Sequence, residues 1–499
     1  MDFNFGAIVY LTAVFAVSAF FLPGNLSGSF RARTLIAYAC CAYLVILFED
    51  YFQVLFIGGV LLAAIAPLQR VERTAFFIAA VPALPVYFSY HVPFPGLQYL
   101  VTLTPMLLVV LVVLIPAAVA GRPREETLHS DGWRAPVALV LLSLYWGVML
   151  GDAVTASSGL RKMVTLLLVL AVPYVLLERH IRSMAAFETV VRAFVAAAAI
   201  LAVYAMLATA LQWDIYRYRE IFTIANFPDF RSGFLRIQAT ANTHSLAYFA
   251  ACAIFFVAWL KRKGDYSWPR ALILQALLFA TMLSTDSRGA LLSFFFAVAV
   301  YLGIVTKRRW VRSALVSAIL IGGIVLAVQL LSANDEIYDE HGTFAYRREL
   351  LFTFIAYIQQ HPIFGDIKFL SGGNFEHLRV GAGPGHIDVT NLYLFRALEL
   401  GLIGFTLYFY VFFRTLFFST KDATGQISVE QAMLKSLMAG WLVLVATTSD
   451  VGITEFIGIL LAGLSVAVKN VRQGAGVTHS AVAGRPRVPI AVGRPALSS

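Results

Sequence analysis

The residues of this chain best suited to chemistry are arginines set away from its other basic clusters. Arg217, Arg219, Arg231 and Arg236 lie in the polar stretch WDIYRYREIFTIANFPDFRSGFLRIQATAN. Arg288 lies in LSTDSRGALLSF, between two apolar runs. Arg347, Arg348 and Arg379 lie in a longer polar stretch, residues 332–391. A guanidinium is planar, permanently charged and presents its N–H groups as a fork that matches phosphate oxygens. Several of them facing one compartment suit a ligand that carries a diphosphate. Arg288 is the sharpest case, because its turn is short and Gly289 permits a tight backbone there. An ionisable group held at a membrane boundary is by default a functional candidate. The alternatives for Arg288 are snorkelling to lipid headgroups and pairing with Asp286.

A base that takes a proton from a hydroxyl is the second requirement of a transfer reaction. His386 and Asp388, in GAGPGHIDVTN, follow a Gly-rich turn and precede an apolar run. The competing roles are a backbone bond for His386 and capping of the next helix by Asp388 or Asn391. Glu399 lies further along that run, where Arg396, one turn earlier, is its expected partner. Glu49 and Asp50 mark another boundary, as a carboxylate base or a charged turn. His341, His361, His377 and His386 have no HExxH or comparable spacing, and Cys40, Cys41 and Cys252 fall inside apolar runs. No metal site and no cofactor is expected. Fixed cations would then carry the stabilisation of a departing anion.

Membrane helices must position these residues. Of the 499 residues, 60% are hydrophobic and 13% charged, more apolar surface than a soluble domain hides. About fifteen apolar runs of roughly 15–25 residues start near Phe5, Leu35, Phe52, Ala75, Val101, Ala135, Met163, Phe187, Ser245, Ala271, Ala290, Ser313, Leu392, Ala432 and Ile453. The second and third meet at Glu49 and Asp50, as a hairpin or a re-entrant pair. The expected fold is an all-α polytopic membrane protein with about 14–15 transmembrane helices. Its one long outer loop, 332–391, bears an amphipathic helix with Leu350, Leu351, Phe354, Ile355 and Ile358 on its apolar face, ended by Pro362 and Gly365.

Basic residues cluster on every other loop: Arg31/Arg33, Arg70/Arg73, Arg122/Arg124/Arg134, Arg179/Arg182, 261–270, 307–312, Arg414/Lys421/Lys435 and Lys469/Arg472. By the positive-inside bias those loops are cytoplasmic, and 213–243, 284–289 and 332–391 lie outside. The net charge of +10 is spread over short loops, which argues against nucleic acid as a partner. The first apolar run has no basic n-region and reads as a span. The chain divides into an N-terminal transmembrane bundle, 1–230, a second transmembrane domain, 231–470, and a tail, 471–499, whose composition predicts disorder.

Three separated stretches together resemble the O-antigen ligase and polymerase family of bacterial surface-polysaccharide assembly. They are Arg236-Ile-Gln-Ala-Thr-Ala-Asn242, then Ser287-Arg288-Gly289 at the head of a span, then the outer loop running from Arg347 through His361-Pro362-Ile363-Phe364-Gly365 to Asn391 and on to Glu399-Leu400-Gly401-Leu402-Ile403-Gly404. The resemblance implies the fold of multi-span GT-C-type membrane glycosyltransferases. It also implies inverting, metal-independent transfer from an undecaprenyl-diphosphate-linked oligosaccharide at the periplasmic face of the bacterial inner membrane. By motif the two family arginines fall on Arg236 and Arg288. Arg217, Arg219, Arg347, Arg348 and Asn391 are the expected substrate contacts, with His386 or Asp388 as the base. Ligase members carry a His-Asn pair before the span that follows the loop, where this chain has Thr390-Asn391. The run from Ile387 to Asn391 is more similar to members that polymerise repeats, so polymerase is expected, with ligation onto lipid A-core as the alternative. A chain-length regulator and a flippase are the protein partners this reading brings. In another class, a lipid-linked oligosaccharide flippase would also need outer arginines and many spans, but such proteins place polar sites near the bilayer midplane on broken helices.

Overall fold

The computed structural model describes residues 3–48, 50–86, 88–95, 99–119, 133–214, 216, 230–231, 234–306, 308–310, 312–314, 317–318, 321–322, 343–370, 375, 389, 391–418, 427–448 and 453–483. The protein is an all-α polytopic membrane protein. Its helices are α1 (Phe3–Phe21), α2 (Gly28–Leu47), α3 (Tyr51–Ile65), α4 (Arg70–Ala80), α5 (Pro105–Val119), α6 (Arg134–Ala153), α7 (Ala156–His180), α8 (Met184–Leu211), α9 (Thr243–Arg262), α10 (Trp268–Ser284), α11 (Arg288–Val305), α12 (Thr343–Gln360), α13 (Leu392–Leu416), α14 (Val429–Val445) and α15 (Thr454–Ala483). Two short hairpins, β1 (Tyr90–His91) with β2 (Thr102–Leu103) and β3 (Phe230–Arg231) with β4 (Phe234–Leu235), sit in connecting loops. Among the described residues, α2, α6, α7, α8, α9, α11, α13 and α15 are long and apolar enough to cross a bilayer, and α1, α3, α5 and α10 are shorter apolar helices. That is fewer full-length spans than the sequence suggests. The run near Ser313 lies largely outside the described residues.

One expectation fails for an identifiable reason. The run starting near Ala75 is not a span. Helix α4 has 11 residues and ends in a 3-10 turn, Val81–Ala83, because Pro82 and Pro85 cannot continue it. At 1.5 Å per residue such a helix covers about half of a ~30 Å hydrocarbon core. Its residues 74–80 are all buried in protein. At the other end, α15 runs to Ala483. One apolar core extends from Ala7 to Val468.

Contacts between loops sort the helix ends into two sets. At one end Tyr266 donates to the Phe21 carbonyl, Arg192 pairs with Asp265, Thr74 meets His180, and Arg472 pairs with Glu430. These are the loops rich in lysine and arginine. At the other end Val86 N–H bonds the Thr240 carbonyl, Ile237 N–H bonds Ser284, and Leu392 N–H bonds Thr448. The alternation of basic loops in the sequence is thus matched by the sidedness of the fold.

Helix α12 and the segment after it are built onto α13. Leu350, Phe354, Phe369, Phe375, Val389 and Leu398 form a small second core. Ile355, expected on the apolar face, is 41% exposed, and Phe352 is 57% exposed. The apolar residues of α12 therefore fall on two faces, only one of which meets protein. Beyond α12 the chain turns at Pro362 and runs along a break in α13. Gly401 there has φ 59° and ψ −167°, which interrupts the helix. The groups freed by the break are satisfied from the crossing segment. Asp366 N–H donates to Leu398 at 2.7 Å, and Leu402 N–H donates to Pro362 at 2.9 Å. Tyr145 of α6 donates its hydroxyl toward both the Phe364 and Leu400 carbonyls. Gly365 (φ +72°) and Gly401 face each other with no room for a side chain. A Cβ on Gly365 would strike the Gly401 nitrogen, and one on Gly401 would strike the Ile363 carbonyl. Replacing either glycine with alanine combines positive-φ strain with backbone overlap. Gly365→Ala or Gly401→Ala is expected to cost on the order of 3 kcal/mol or more, read as a lowered thermal midpoint in detergent. Gly303→Ala, where a Cβ meets nothing within 4 Å, is expected to leave that midpoint unchanged.

Candidate active site

The site is assembled around a buried carboxylate. Asp214, fully buried at the end of α8, accepts hydrogen bonds from the Tyr204 hydroxyl at 2.6 Å, from Tyr216 N–H, and from the N–H groups of Gln238 and Ala239. Burial raises the Tyr216 phenol well above its ordinary range, so it stays neutral near this charge. The two bonds to Gln238 and Ala239 hold the segment 236–242 in an unusual path. Ala239 has φ 49° and Asn242 has φ 75° with ψ 149°, a region that is nearly glycine-only. Thr240 ties the same turn to the rest of the bundle by donating to the Pro82 carbonyl.

This segment is stitched to the turn between α10 and α11. Ile237 N–H donates to Ser284, and Arg236 Nε donates to the Thr285 carbonyl at 3.1 Å. Arg236 is only 8% exposed. Asp286 is another positive-φ residue, at 45°. Ser287 caps α11, accepting from Ala290 N–H. His244, in the first turn of α9, lies with Nδ1 2.7 Å from the Ser287 hydroxyl. The four described non-glycine residues with positive φ are Gln212, Ala239, Asn242 and Asp286. All belong to this region, since Gln212 accepts from Leu235 N–H beside Arg236. Strain gathered in one place points from geometry to function.

Arg288 stands at the first position of α11, exposed to solvent. A cation at a helix N-terminus opposes the helix dipole and does not stabilise the fold. Among the described residues no ion pair holds it. The N-termini of α9, α11, α13 and α15 lie at this same end of the molecule. Ser245 meets Thr454 at 2.8 Å, Leu392 N–H bonds Thr448, and Gly289 packs on Thr447. Helix N-termini bring partial positive charge and unpaired N–H groups, the ordinary furniture of anion binding.

A second charged cluster lies a turn inside the bundle. Arg396, 2% exposed, donates to Glu399 at 2.8 Å and to Glu455 at 2.7 Å, and Tyr408 also donates to Glu455. The guanidinium and the Lys162 ammonium both lie against the Trp146 ring, at 4.6 Å and 4.1 Å from its centroid.

Of the residues singled out from sequence, Arg236 and Arg288 are brought to one turn. Arg396 and Glu399 pair as expected. Arg348 is half-buried on α12. Asn391, expected to contact substrate, has its side-chain oxygen engaged in capping α13, accepting from Tyr393 and Leu394 N–H. Asp50 likewise caps α3. Arg217, Arg219, His386 and Asp388, and the side chain of Arg347, lie outside the described residues. Asp214, His244, Glu455 and Lys162 were not singled out from sequence. His244 stands two residues beyond the quoted Arg236–Asn242 motif, and the polar context of Asp214 and Glu455 at span ends was their only signal.

Taken together, the fold and the site define a multi-pass membrane protein with a strained, cationic turn at one end. Residues 273–409, from α10 through most of α13, match the family described as O-Antigen ligase. This part of the chain is similar to that family. No curated protein matches the chain. Arg236, His244 and Glu455 fall outside the matched residues and reach the site through the packing of α9 and α15.

The Asp214 carboxylate is the test of how the turn is held. Asp214→Ala leaves the N–H groups of Gln238 and Ala239 without this acceptor, at roughly 1–3 kcal/mol for each that stays unsatisfied. The expected result is a thermal midpoint lowered by several degrees and loss of function even where folded protein is recovered.

Proposed function

We propose that this protein is a bacterial surface-polysaccharide polymerase. It transfers oligosaccharide repeats from an undecaprenyl-diphosphate donor to a sugar hydroxyl at the periplasmic face of the inner membrane, without a metal ion. The reading is carried by one observation: Arg288 is placed, exposed and against the helix dipole, on a strained turn that also binds Arg236. An arginine there opposes its own helix dipole, whereas an anion beside it would make the arrangement favourable.

The chemistry follows from that placement. The acceptor oxygen forms a bond to the anomeric carbon as the bond from that carbon to the diphosphate breaks. The electron pair leaves with the diphosphate, and the hydroxyl proton passes to a base, for which His386 and Asp388 are the candidates. Negative charge grows on the departing diphosphate, and fixed guanidinium groups and helix N-termini stabilise it without reorganising. The basic end of the bundle is cytoplasmic in this reading, and the long loop is periplasmic. Ligation onto lipid A-core is the second reading, favoured by the description of the matched family. Polymerisation is preferred because Thr390-Asn391 stands where ligases carry His-Asn.

Because Arg288 is exposed and works against its own helix, Arg288→Ala is expected to leave the thermal midpoint unchanged or slightly raised. Polymer formation should fall by about 10²–10³-fold, as for loss of one oxyanion donor. Arg288→Lys should recover only part, since it keeps the charge but loses the fork. An alanine variant with normal polymer would remove Arg288 from the site.

The two readings separate in a deletion strain by the size of the carrier-linked glycans that accumulate. Single repeats are expected for a polymerase. Long chains of normal distribution on the carrier would assign the protein as a ligase instead.

A further inference from the structure

The charged cluster inside the bundle contains a carboxylate oxygen that its ion pairs leave unused. On Glu455, the Arg396 guanidinium at 2.7 Å and the Tyr408 hydroxyl at 2.6 Å both donate to the same oxygen, Oε1. The other oxygen, Oε2, accepts no hydrogen bond from the described residues. A bidentate arginine pair would engage both oxygens; this one engages a single oxygen. The carboxylate is also the more open partner. Its side chain is 19% exposed, against 3% for that of Arg396. The cluster fixes one oxygen of Glu455 and leaves the other open to a ligand.

Its place in the fold gives that oxygen a use. Glu455 is the second residue of α15. Thr454, just before it, meets Ser245 of α9 at 2.8 Å. His244, just before Ser245, meets Ser287, the residue that precedes Arg288. Glu455 thus stands two contacts from the arginine turn, at the same end of the bundle but not on the turn itself. That separation suits a base. In an inverting displacement the nucleophile arrives on the face opposite the leaving group, so the group taking its proton stands apart from the cations on the leaving group. A carboxylate held by one oxygen can accept a proton without moving, because its donors stay on Oε1 while the proton binds Oε2. Glu399, the other carboxylate on Arg396, is placed differently. It lies beside the joint at Gly401, where the Leu398 carbonyl receives Asp366 N–H, and its side chain is 13% exposed.

We propose that Glu455 is the general base of the transfer, taking the acceptor hydroxyl proton on Oε2, with Arg396 and Tyr408 as positioning residues. This rests on the proposed function, and it names a base within the bundle in place of the loop residues His386 and Asp388. In the step, the acceptor oxygen bonds the anomeric carbon as its proton passes to Oε2. The bond from that carbon to the diphosphate breaks, and its electron pair leaves with the diphosphate.

The test uses the full-length protein in nanodiscs, the carrier-linked glycan extracted from the deletion strain, and sodium azide as a second nucleophile. Azide carries no proton to remove. It attacks the anomeric carbon, the diphosphate leaves, and the glycosyl azide is read by mass spectrometry. Glu455→Gln keeps an oxygen for Arg396 and Tyr408, and is expected to lower sugar-to-sugar transfer by about 10²–10⁴-fold. Glu455→Ala is expected to lose transfer likewise but to form glycosyl azide, since azide bypasses the base. Glu399→Gln removes a charge from the same arginine and is expected to keep most of the transfer. Arg288→Ala is expected to form little of either product, because azide replaces the base and not the cation. Thermal midpoints on the same samples separate loss of the base from loss of fold. Wild-type transfer by folded Glu455→Gln overturns the proposal, as does folded Glu455→Ala that forms neither product. Equal losses in Glu399→Gln and Glu455→Gln assign the cluster to bracing and overturn it too. Should the Glu455 variants not fold, Tyr408→Phe decides: transfer reduced with azide reaction intact supports the base, and an equal fall in both overturns it. Wild-type transfer by Arg288→Ala is the separate result that removes the diphosphate reading itself.

Discussion

The site depends on one buried carboxylate. Asp214 cannot be solvated where it sits, and a desolvated charge is tolerated only when hydrogen bonds surround it. It meets that demand with a tyrosine hydroxyl and the backbone N–H groups of Tyr216, Gln238 and Ala239. The bonds to Gln238 and Ala239 compel the chain to leave α8 and re-enter at α9 through positive-φ residues. Each such residue costs on the order of 1–3 kcal/mol and persists only when its surroundings over-determine it. The carboxylate thus fixes the path, the path delivers Arg236 to the Thr285 carbonyl, and the turn so braced presents Arg288. Rigid presentation is what transition-state stabilisation requires, since a cation free to follow the substrate would stabilise ground state and transition state alike.

The loop is anchored by backbone in the same spirit. A helix broken within the bilayer exposes N–H and C=O groups that no lipid can satisfy. At Gly401 the crossing segment from Pro362 to Asp366 satisfies them, and the two glycines are the condition for so close an approach. This gives the His-Pro-Ile-Phe-Gly and Glu-Leu-Gly-Leu-Ile-Gly stretches a packing explanation. They are two halves of one joint that holds the base of the long loop against α13, on the helix whose N-terminus faces the site. The Glu399 carboxylate on the same turn draws in Arg396, which reaches α15 through Glu455.

Much of this was legible in the chain. The alternation of basic loops matched the two ends of the fold, because lysine and arginine report sidedness independently of packing. Arg236 and Arg288 stood out because they broke that alternation. Periodicity was a poorer guide. In water an apolar residue on a helix faces protein. In a membrane it faces protein or lipid, so Leu350 and Ile355 look alike in sequence while one is buried and the other exposed. Run length failed at Ala75 for a related reason, since a half-length helix buried in protein is as apolar as a full span. The contact of His244 with Ser287 was hidden differently. A histidine shows its partner only in the fold, and Ser287 is distant in sequence.

The two charged clusters also bear on the choice between enzyme and transporter. Arg396 lies within the bundle, clasped by two carboxylates and an aromatic wall. Releasing it would strand a desolvated cation, at a cost of about 3–5 kcal/mol. A charge so enclosed braces α13 against α15 and is a poor candidate for a carrier that must bind and release as the protein turns over. Arg288 is the opposite case, exposed at the end of the bundle and without a counter-ion among the described residues. A transporter would place its unmatched charge near the midplane, where alternating access can present it to both sides. Here the unmatched charge is at one boundary, on a turn braced against movement. That arrangement suits the proposed transfer from a ligand held at one membrane face better than it suits a carrier.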